Sequence, residues 1–376
     1  MRTVAFALGL FCACESGDDT LLIYRDGGAD TSSVVEAGAD TYPPDVYHPD
    51  SSSVDACAAL PADPAKAMYL AVDPSRLKQH LKEGSGVVPI TLSGDGGVVS
   101  LSNRYSPIAK ANFRDWYEQY LSSVGLYWHE LPYVTKHNIG EVNGTNVEAV
   151  LPGASADSVV VIIHYDSIGP NGIETTNPGV DDDLSGLVSM MEAERLFNNG
   201  CLPRQKTIRF VIADYEEQWN PGLEGARVYA AWLKAKAAQD GFQIVAAIDY
   251  EQSGWNCASD AKCTSNVGGK VYDVFDCSGD GNNFKSTALG DSLAALTTSL
   301  GSSLMVNRAC MAQNSDHYAM WEIGVPSIVT SEHLPFSNPH FDQNGGDTFD
   351  KIDTTYHAEI ARLSVAFTAK LAGVGQ

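Results

Sequence analysis

Three consecutive aspartates fill the centre of "GVDDDLSG" (179–186), between the apolar runs "SVVVIIHY" (158–165) and "LSGLVSMMEAERLF" (184–197). On their own, Asp181, Asp182 and Asp183 read as a solvated loop and the first turn of a helix, where carboxylates interact favourably with the positive end of the helix dipole. Other polar residues change that reading. His164 and Asp166 follow "VVVII"; Asp214, Glu216 and Glu217 follow "IRFVI"; Asp249 and Glu251 follow "IVAAI". Imidazole and carboxylate donors without thiolates, collected from several strand ends, suit Zn²⁺ or a similar divalent ion with open coordination positions, as hydrolytic chemistry requires. A second ion needs a carboxylate between the two, and an aspartate in a short loop is the natural bridge. One of the three aspartates is well placed for it.

The elements that must position these groups follow from periodicity. "NVEAVLP" (146–152), "SVVVIIHY", "TIRFVIADY" (207–215), "IVAAIDY" (244–250) and "PSIVTSE" (326–332) read as strands. Helical spacing marks 103–125, 184–197 and 225–238. Strands that are apolar throughout and alternate with helices predict one α/β domain with a mostly parallel central sheet covered by helices on both faces. In such sheets ligands bind beyond the carboxyl ends of the strands, where all three polar groups fall.

In order, "NVEAVLPG", "IIHYDS", "PGVDDDLSG", "TIRFVIADYEEQ", "GLEGARVYA", "IDYEQSG", "SDHYAMWEIGVPSIV" and "NP" followed by "GGDTFDKID" resemble the dizinc peptidases of metallopeptidase clan MH. That group includes leucyl aminopeptidases, aminopeptidase Y, glutamate carboxypeptidase and the related glutaminyl cyclases, and the resemblance covers about residues 103 to 355. It implies a zinc-dependent exopeptidase with two Zn²⁺ ions and peptide substrates, an aminopeptidase in preference to a carboxypeptidase because no large inserted domain interrupts the motifs. Carried over residue by residue, His164 is a metal ligand with Asp166 as its orienting partner, and Asp182 is the bridging carboxylate. Asp181 stands where the family has asparagine, and Asp183 begins the helix. Glu216 is the expected general base and Glu217 a zinc ligand.

Two positions depart from the family pattern. Glu251 aligns where the family usually has aspartate, with Asp249, two residues earlier on the same strand face, held in reserve. The last family ligand is the histidine of "NPxxH"; here Asp342 occupies that place and His340 lies two residues before it. Either side chain can ligate zinc. Chemistry favours His340, and Asp342 is the alternative. His317 and His333 read as ordinary loop or core histidines. Two rival functions share these features: a glutaminyl cyclase-like acyltransferase using one zinc, and a non-catalytic binding module with a decayed metal site.

The remaining sequence bounds the setting. The formal charge of -23 speaks against nucleic-acid binding through a basic face. Residues 1–14, "MRTVAFALGLFCAC", outline a signal peptide of possible lipoprotein type, with Cys14 a potential lipid attachment point. Residues 15–60 are Gly, Ser, Thr and Ala rich, with ten acids from Glu15 to Asp55 against Arg25 alone, and read as a disordered acidic linker. The zinc peptidase domain is expected over 61–376. The expected setting is extracytoplasmic, either secreted or a cell-envelope lipoprotein. Six cysteines beyond residue 14 imply disulfides there, with a local bridge expected among Cys257, Cys263 and Cys277.

Overall fold

A computed structural model describes residues 62–93, 97–137, 140–169, 177–198, 202–217, 222–259, 270–277, 284–310, 315–340 and 346–375. The expected signal peptide and acidic linker lie outside them, as do Asp342, Cys14, Cys57, Cys201 and Cys263.

Two helices, α1 (Pro64–Ala71) and α2 (Pro74–Gly84), precede a small hairpin of β1 (Ile90–Leu92) and β2 (Gly97–Val99) and the longer α3 (Pro107–Ser123). The main chain then runs β3 (Trp128–His137), β4 (Gly140–Leu151), β5 (Ser155–His164), α4 (Leu184–Asn198), β6 (Lys206–Ala213), α5 (Glu224–Asp240) and β7 (Ile244–Tyr250). After these come β8 (Val271–Phe275), α6 (Phe284–Leu300), β9 (Met305–Ala309), α7 (His317–Glu322), β10 (Ser327–Glu332) and α8 (Thr354–Ala372). Eight strands form one sheet in the order β3-β4-β6-β5-β7-β10-β8-β9. Its centre, β6-β5-β7-β10, is parallel, whereas β3 and β4 pair antiparallel at one side and β8 runs antiparallel to β10 at the other.

Every expected strand and helix has a counterpart, and their ends follow local chemistry. The helix expected over 103–125 starts at Pro107 because Ser106 accepts the Ala109 N–H and the proline presets the first turn. α8 is capped by Asp353, which accepts from Thr355 and Tyr356, and stops at Gly373 in the left-handed conformation. Alternation along β5 explains why a buried strand is apolar on both faces. Val161 and Ile163 belong to a core with Leu187, Val188 and Met191 of α4 and Leu363 and Phe367 of α8. Val160 and Ile162 point the other way, into a core with Tyr229 and Leu233 of α5 and Met320 of α7. All four are fully buried, each worth about 1.5–3 kcal/mol of apolar transfer.

Cys277 takes no part in the local bridge expected among Cys257, Cys263 and Cys277, and Cys263 lies outside the described residues. Cys277 bridges to Cys310, with a Cα–Cα distance of 4.1 Å, and not to Cys257 or Cys263. The reason is strand pairing: β8 and β9 run parallel with Phe275 opposite Ala309, so the residues just past both ends meet. Cys257 is also disulfide-bonded.

Candidate metal centre

Because β6, β5 and β7 are parallel neighbours, their carboxyl ends fall on one edge, with His164 in register with Ala213 and Ile162 with Asp249. That edge collects the groups singled out from the sequence. His164, Asp182 and Glu251 each offer a ligand atom, all within 4.8 Å of one another and all buried. His164, Glu216 and Glu217 form a second such group. His164 Nε2 lies 3.0 Å from Asp182 Oδ1 and 4.0 Å from Glu251 Oε1.

Asp166 organises the β6 end. Its Oδ1 accepts the Glu216 N–H at 2.9 Å and its Oδ2 the Glu217 N–H at 3.2 Å, while its backbone carbonyl lies 3.2 Å from His164 Nδ1. One carboxylate thus fixes the backbone of both glutamates, and the backbone beside it orients the imidazole, as ligating histidines generally require. Below this turn the buried Lys110 of α3 pairs with Asp214 Oδ1 at 2.7 Å and lies over the Tyr215 ring.

The three aspartates are not solvated. Asp181 and Asp182 are 3% exposed and Asp183 is 0%. Asp347 accepts the backbone N–H groups of Asp181 and Asp182 at 2.7 and 3.0 Å, which sets the loop. The Asp182 carboxylate is held by His164 on Oδ1 and by Gln252 Nε2, at 2.8 Å, on Oδ2. Asp181 turns away, accepting from the Gly254 N–H and from Asn338 Nδ2. Asp183 accepts the Gly186 N–H at 3.0 Å and caps α4, so its helix-start role holds although its surroundings are protein and not water. Gly186 is required here because a Cβ would lie 1.7 Å from the Tyr250 carbonyl oxygen, where α4 presses on the end of β7.

The cap gives a prediction. Asp183→Asn keeps the capping oxygen and should retain zinc content and stability, whereas Asp183→Ala should lose about 1 kcal/mol. Denaturant titration beside zinc analysis checks both. A loss of zinc in the asparagine variant would make Asp183 a ligand.

Electrostatics supplies the test of whether these residues suit a cation. Burial pushes the carboxyl of Glu251 up to about 8, with Asp182 and Asp249 adding repulsion. Burial also drives Glu216 and Asp316 well above the usual carboxylate range, against the pull of His164. Burial would lower His164, but its bonds to Asp166 and Asp182 hold it well above the ordinary imidazole value. Both carboxylate oxygens of Asp316 are buried and have no hydrogen-bond partner among the described residues. A buried cluster of carboxylates facing one imidazole, held together by protons, is the environment into which a divalent cation binds with proton release. The donor set fits zinc.

Of the reserve positions, Asp249 belongs to neither converging group; its Oδ2 accepts from Ser315 Oγ at 2.6 Å and the His317 N–H at 3.0 Å. Ser315 Oγ is also 2.6 Å from Glu251 Oε1. His340 is half-buried, donates its backbone N–H to Asn338 Oδ1 at 2.9 Å, and is in neither converging group among the described residues. His317 is buried edge-on against Trp321, and His333 pairs with Asp273 at 2.9 Å. Sequence reasoning assigned no role to Asp347, Gln252, Asp316 or Asn338, although all lie inside the quoted motifs. Arg104, whose side chain binds the loop before Asp182, carried no signal.

The family model described as "Peptidase family M28" matches residues 146–368. A probable leucine aminopeptidase of Arthroderma benhamiae is 26% identical over 247 residues, 62% of this chain and 63% of that protein. A probable leucine aminopeptidase 1 of Trichophyton verrucosum is 28% identical over 230 residues, 60% of this chain and 58% of its own. The chain therefore matches less than two thirds of the length of these relatives. Among solved structures, the LapA aminopeptidase of Legionella pneumophila has a TM-score of 0.61 at 19% identity, covering 82% of this chain and 74% of that one. The glutaminyl cyclase of Fimbriiglobus ruber has a TM-score of 0.62 at 15% identity, covering 79% and 95%. At those identities the structures establish the fold, and the matched model the family: the chain belongs to peptidase family M28.

Proposed function

We propose that the protein is a zinc-dependent exopeptidase that removes N-terminal residues from peptides. The observation that carries this is the convergence of His164, Asp182 and Glu251, and of His164, Glu216 and Glu217, at one sheet edge. In this reading His164, Asp182, Glu217 and Glu251 hold two zinc ions, with His340 or Asp342 completing the set. Zinc bound there would polarise the scissile carbonyl and acidify a water molecule. Glu216 takes the proton from the attacking water and returns it to the leaving amine, the work of a positioned general base and acid. Asp166 keeps Glu216 aimed by holding its backbone N–H.

The leucine aminopeptidase relatives support N-terminal specificity. The Cys277–Cys310 bridge supports an oxidising, extracytoplasmic setting, with the chain secreted or tethered through a lipidated Cys14. The test combines zinc stoichiometry with a panel of substrates. Leu-anilide should be hydrolysed, with a Gln-initiated peptide left uncyclised and a peptide ending in glutamate left intact. Cyclisation of the Gln peptide with no anilide hydrolysis would replace this reading by the cyclase, and absence of zinc by the binding module.

A further inference from the structure

Arg104 stands upstream of the family-matched residues and is fully buried. Its guanidinium reaches two segments that carry proposed ligands. Nε donates to the Tyr165 carbonyl at 2.6 Å, beside His164. Nη1 donates to the Pro178 carbonyl, and Nη2 to those of Gly179 at 2.9 Å and Asp182 at 3.3 Å. The backbone is tied in as well: the Arg104 N–H donates to Ser167 Oγ at 3.1 Å, and the Ser167 N–H to the Arg104 carbonyl at 3.3 Å. The Phe113 ring packs against the guanidinium, 5.1 Å from its central carbon.

Every side-chain acceptor is a backbone carbonyl and none is a carboxylate. The positive charge therefore interacts electrostatically with Asp347, Asp183, Asp166 and Asp182, while its hydrogen bonds go to backbone carbonyls and leave the carboxylate oxygens to a metal. The loop is shaped to receive the fork: Gly179 has φ +56°, and a Cβ there would lie 2.7 Å from Arg104 Nη2. Lysine carries its charge at one point and lacks the planar fork that spans both segments.

Resting on the metallopeptidase reading, we infer that Arg104 is a positioning residue of the metal centre, a planar strut that fixes the Asp182 loop against the His164 strand end. It precedes residues 146–368, the stretch that the family model matches, so the part of the chain before that stretch contributes to the site.

The test compares Arg104→Lys with Arg209→Lys. Arg209 is also buried, but binds Glu148 and Ser158 along the sheet, away from the converging donors. Zinc affinity is measured by chelator competition, and amide exchange over 165–168 and 178–184 in the chelated protein. Arg104→Lys should weaken zinc about 10–100-fold, the usual cost of losing a group that orients ligands, and speed exchange in both segments. Arg209→Lys should do neither, even if both variants melt earlier. Should Arg104→Lys fail to fold, Ser167→Ala, which removes the acceptor of the Arg104 N–H and the donor to the Asn177 carbonyl but leaves the guanidinium in place, should shift both readouts in the same direction by less. Unchanged zinc affinity in the Arg104 or Ser167 variant, or an equal loss in the Arg209 variant, overturns the inference. A wild-type chain that takes up no zinc would instead overturn the metallopeptidase reading, while the exchange comparison would still judge the strut.

Discussion

Asp182→Ala is expected to give a folded chain that binds zinc at least ~100-fold more weakly and hydrolyses Leu-anilide no faster than background, since even groups that merely orient ligands cost 10–100-fold. The loop should survive the substitution because its shape does not depend on that side chain. Asp347 holds the backbone N–H groups of Asp181 and Asp182, and Arg104 holds the Asp182 carbonyl. What the substitution removes is the carboxylate between His164 and Gln252, the only one of the three aspartates that belongs to a converging donor group. In the chelated state the variant should be no less stable than wild type, because one buried carboxyl near Glu251 and Asp183 is gone. Metal analysis and melting of the chelated proteins separate the two effects. Wild-type zinc content with wild-type turnover would remove Asp182 from the site.

The reason Asp182 could be singled out in the sequence also marks where such reading stops. Runs such as "VVVII" and "IRFVI" announce strands buried on both faces, and parallel strands must end on one edge, so His164, Glu216 and Glu251 were legible as neighbours. The choice of Asp182 as the proposed bridging carboxylate came from resemblance to a motif and could not come from charge alone, since all three carboxylates are buried. Contacts made across long sequence separations left no local trace. Asp347 caps a loop 165 residues upstream, and Arg104 reaches Asp182 across a separation of 78. The partner of Cys277 was hidden for the same reason: closeness in sequence pointed to Cys257 and Cys263, whereas the pairing of β8 with β9 brought Cys310 to it. The partner of β4 in the antiparallel β3–β4 pair at the sheet edge also went unread. That strand, "WHELPYVTKH", carries a proline and two charged residues that mask a strand pattern.

Glu216→Gln separates binding from chemistry most cleanly. Glutamine keeps the length and one oxygen of the side chain but cannot accept a proton, so the loss falls on the step assigned to Glu216. Its backbone stays where Asp166 holds it, through the Glu216 N–H at 2.9 Å. In the neighbouring Glu217, also held by Asp166, the same substitution removes a proposed ligand charge. The expected pattern is therefore asymmetric. Glu216→Gln should retain wild-type zinc content and a similar KM for Leu-anilide while kcat falls about 10²–10⁴-fold, the range that a positioned acid or base contributes. Glu217→Gln should lose zinc first, and activity as a consequence, with partial recovery when zinc is raised. The raised carboxyl of Glu216 is consistent with this division, because burial and the acids around it favour the protonated form, and a bound cation would offset their charge. Zinc stoichiometry and steady-state kinetics on the two variants decide the matter. Zinc loss in Glu216→Gln with retention in Glu217→Gln would exchange the two roles, and near-normal kcat in both would leave the proton transfer to another group, for which Asp316, buried and without a hydrogen-bond partner among the described residues, is the next residue to substitute.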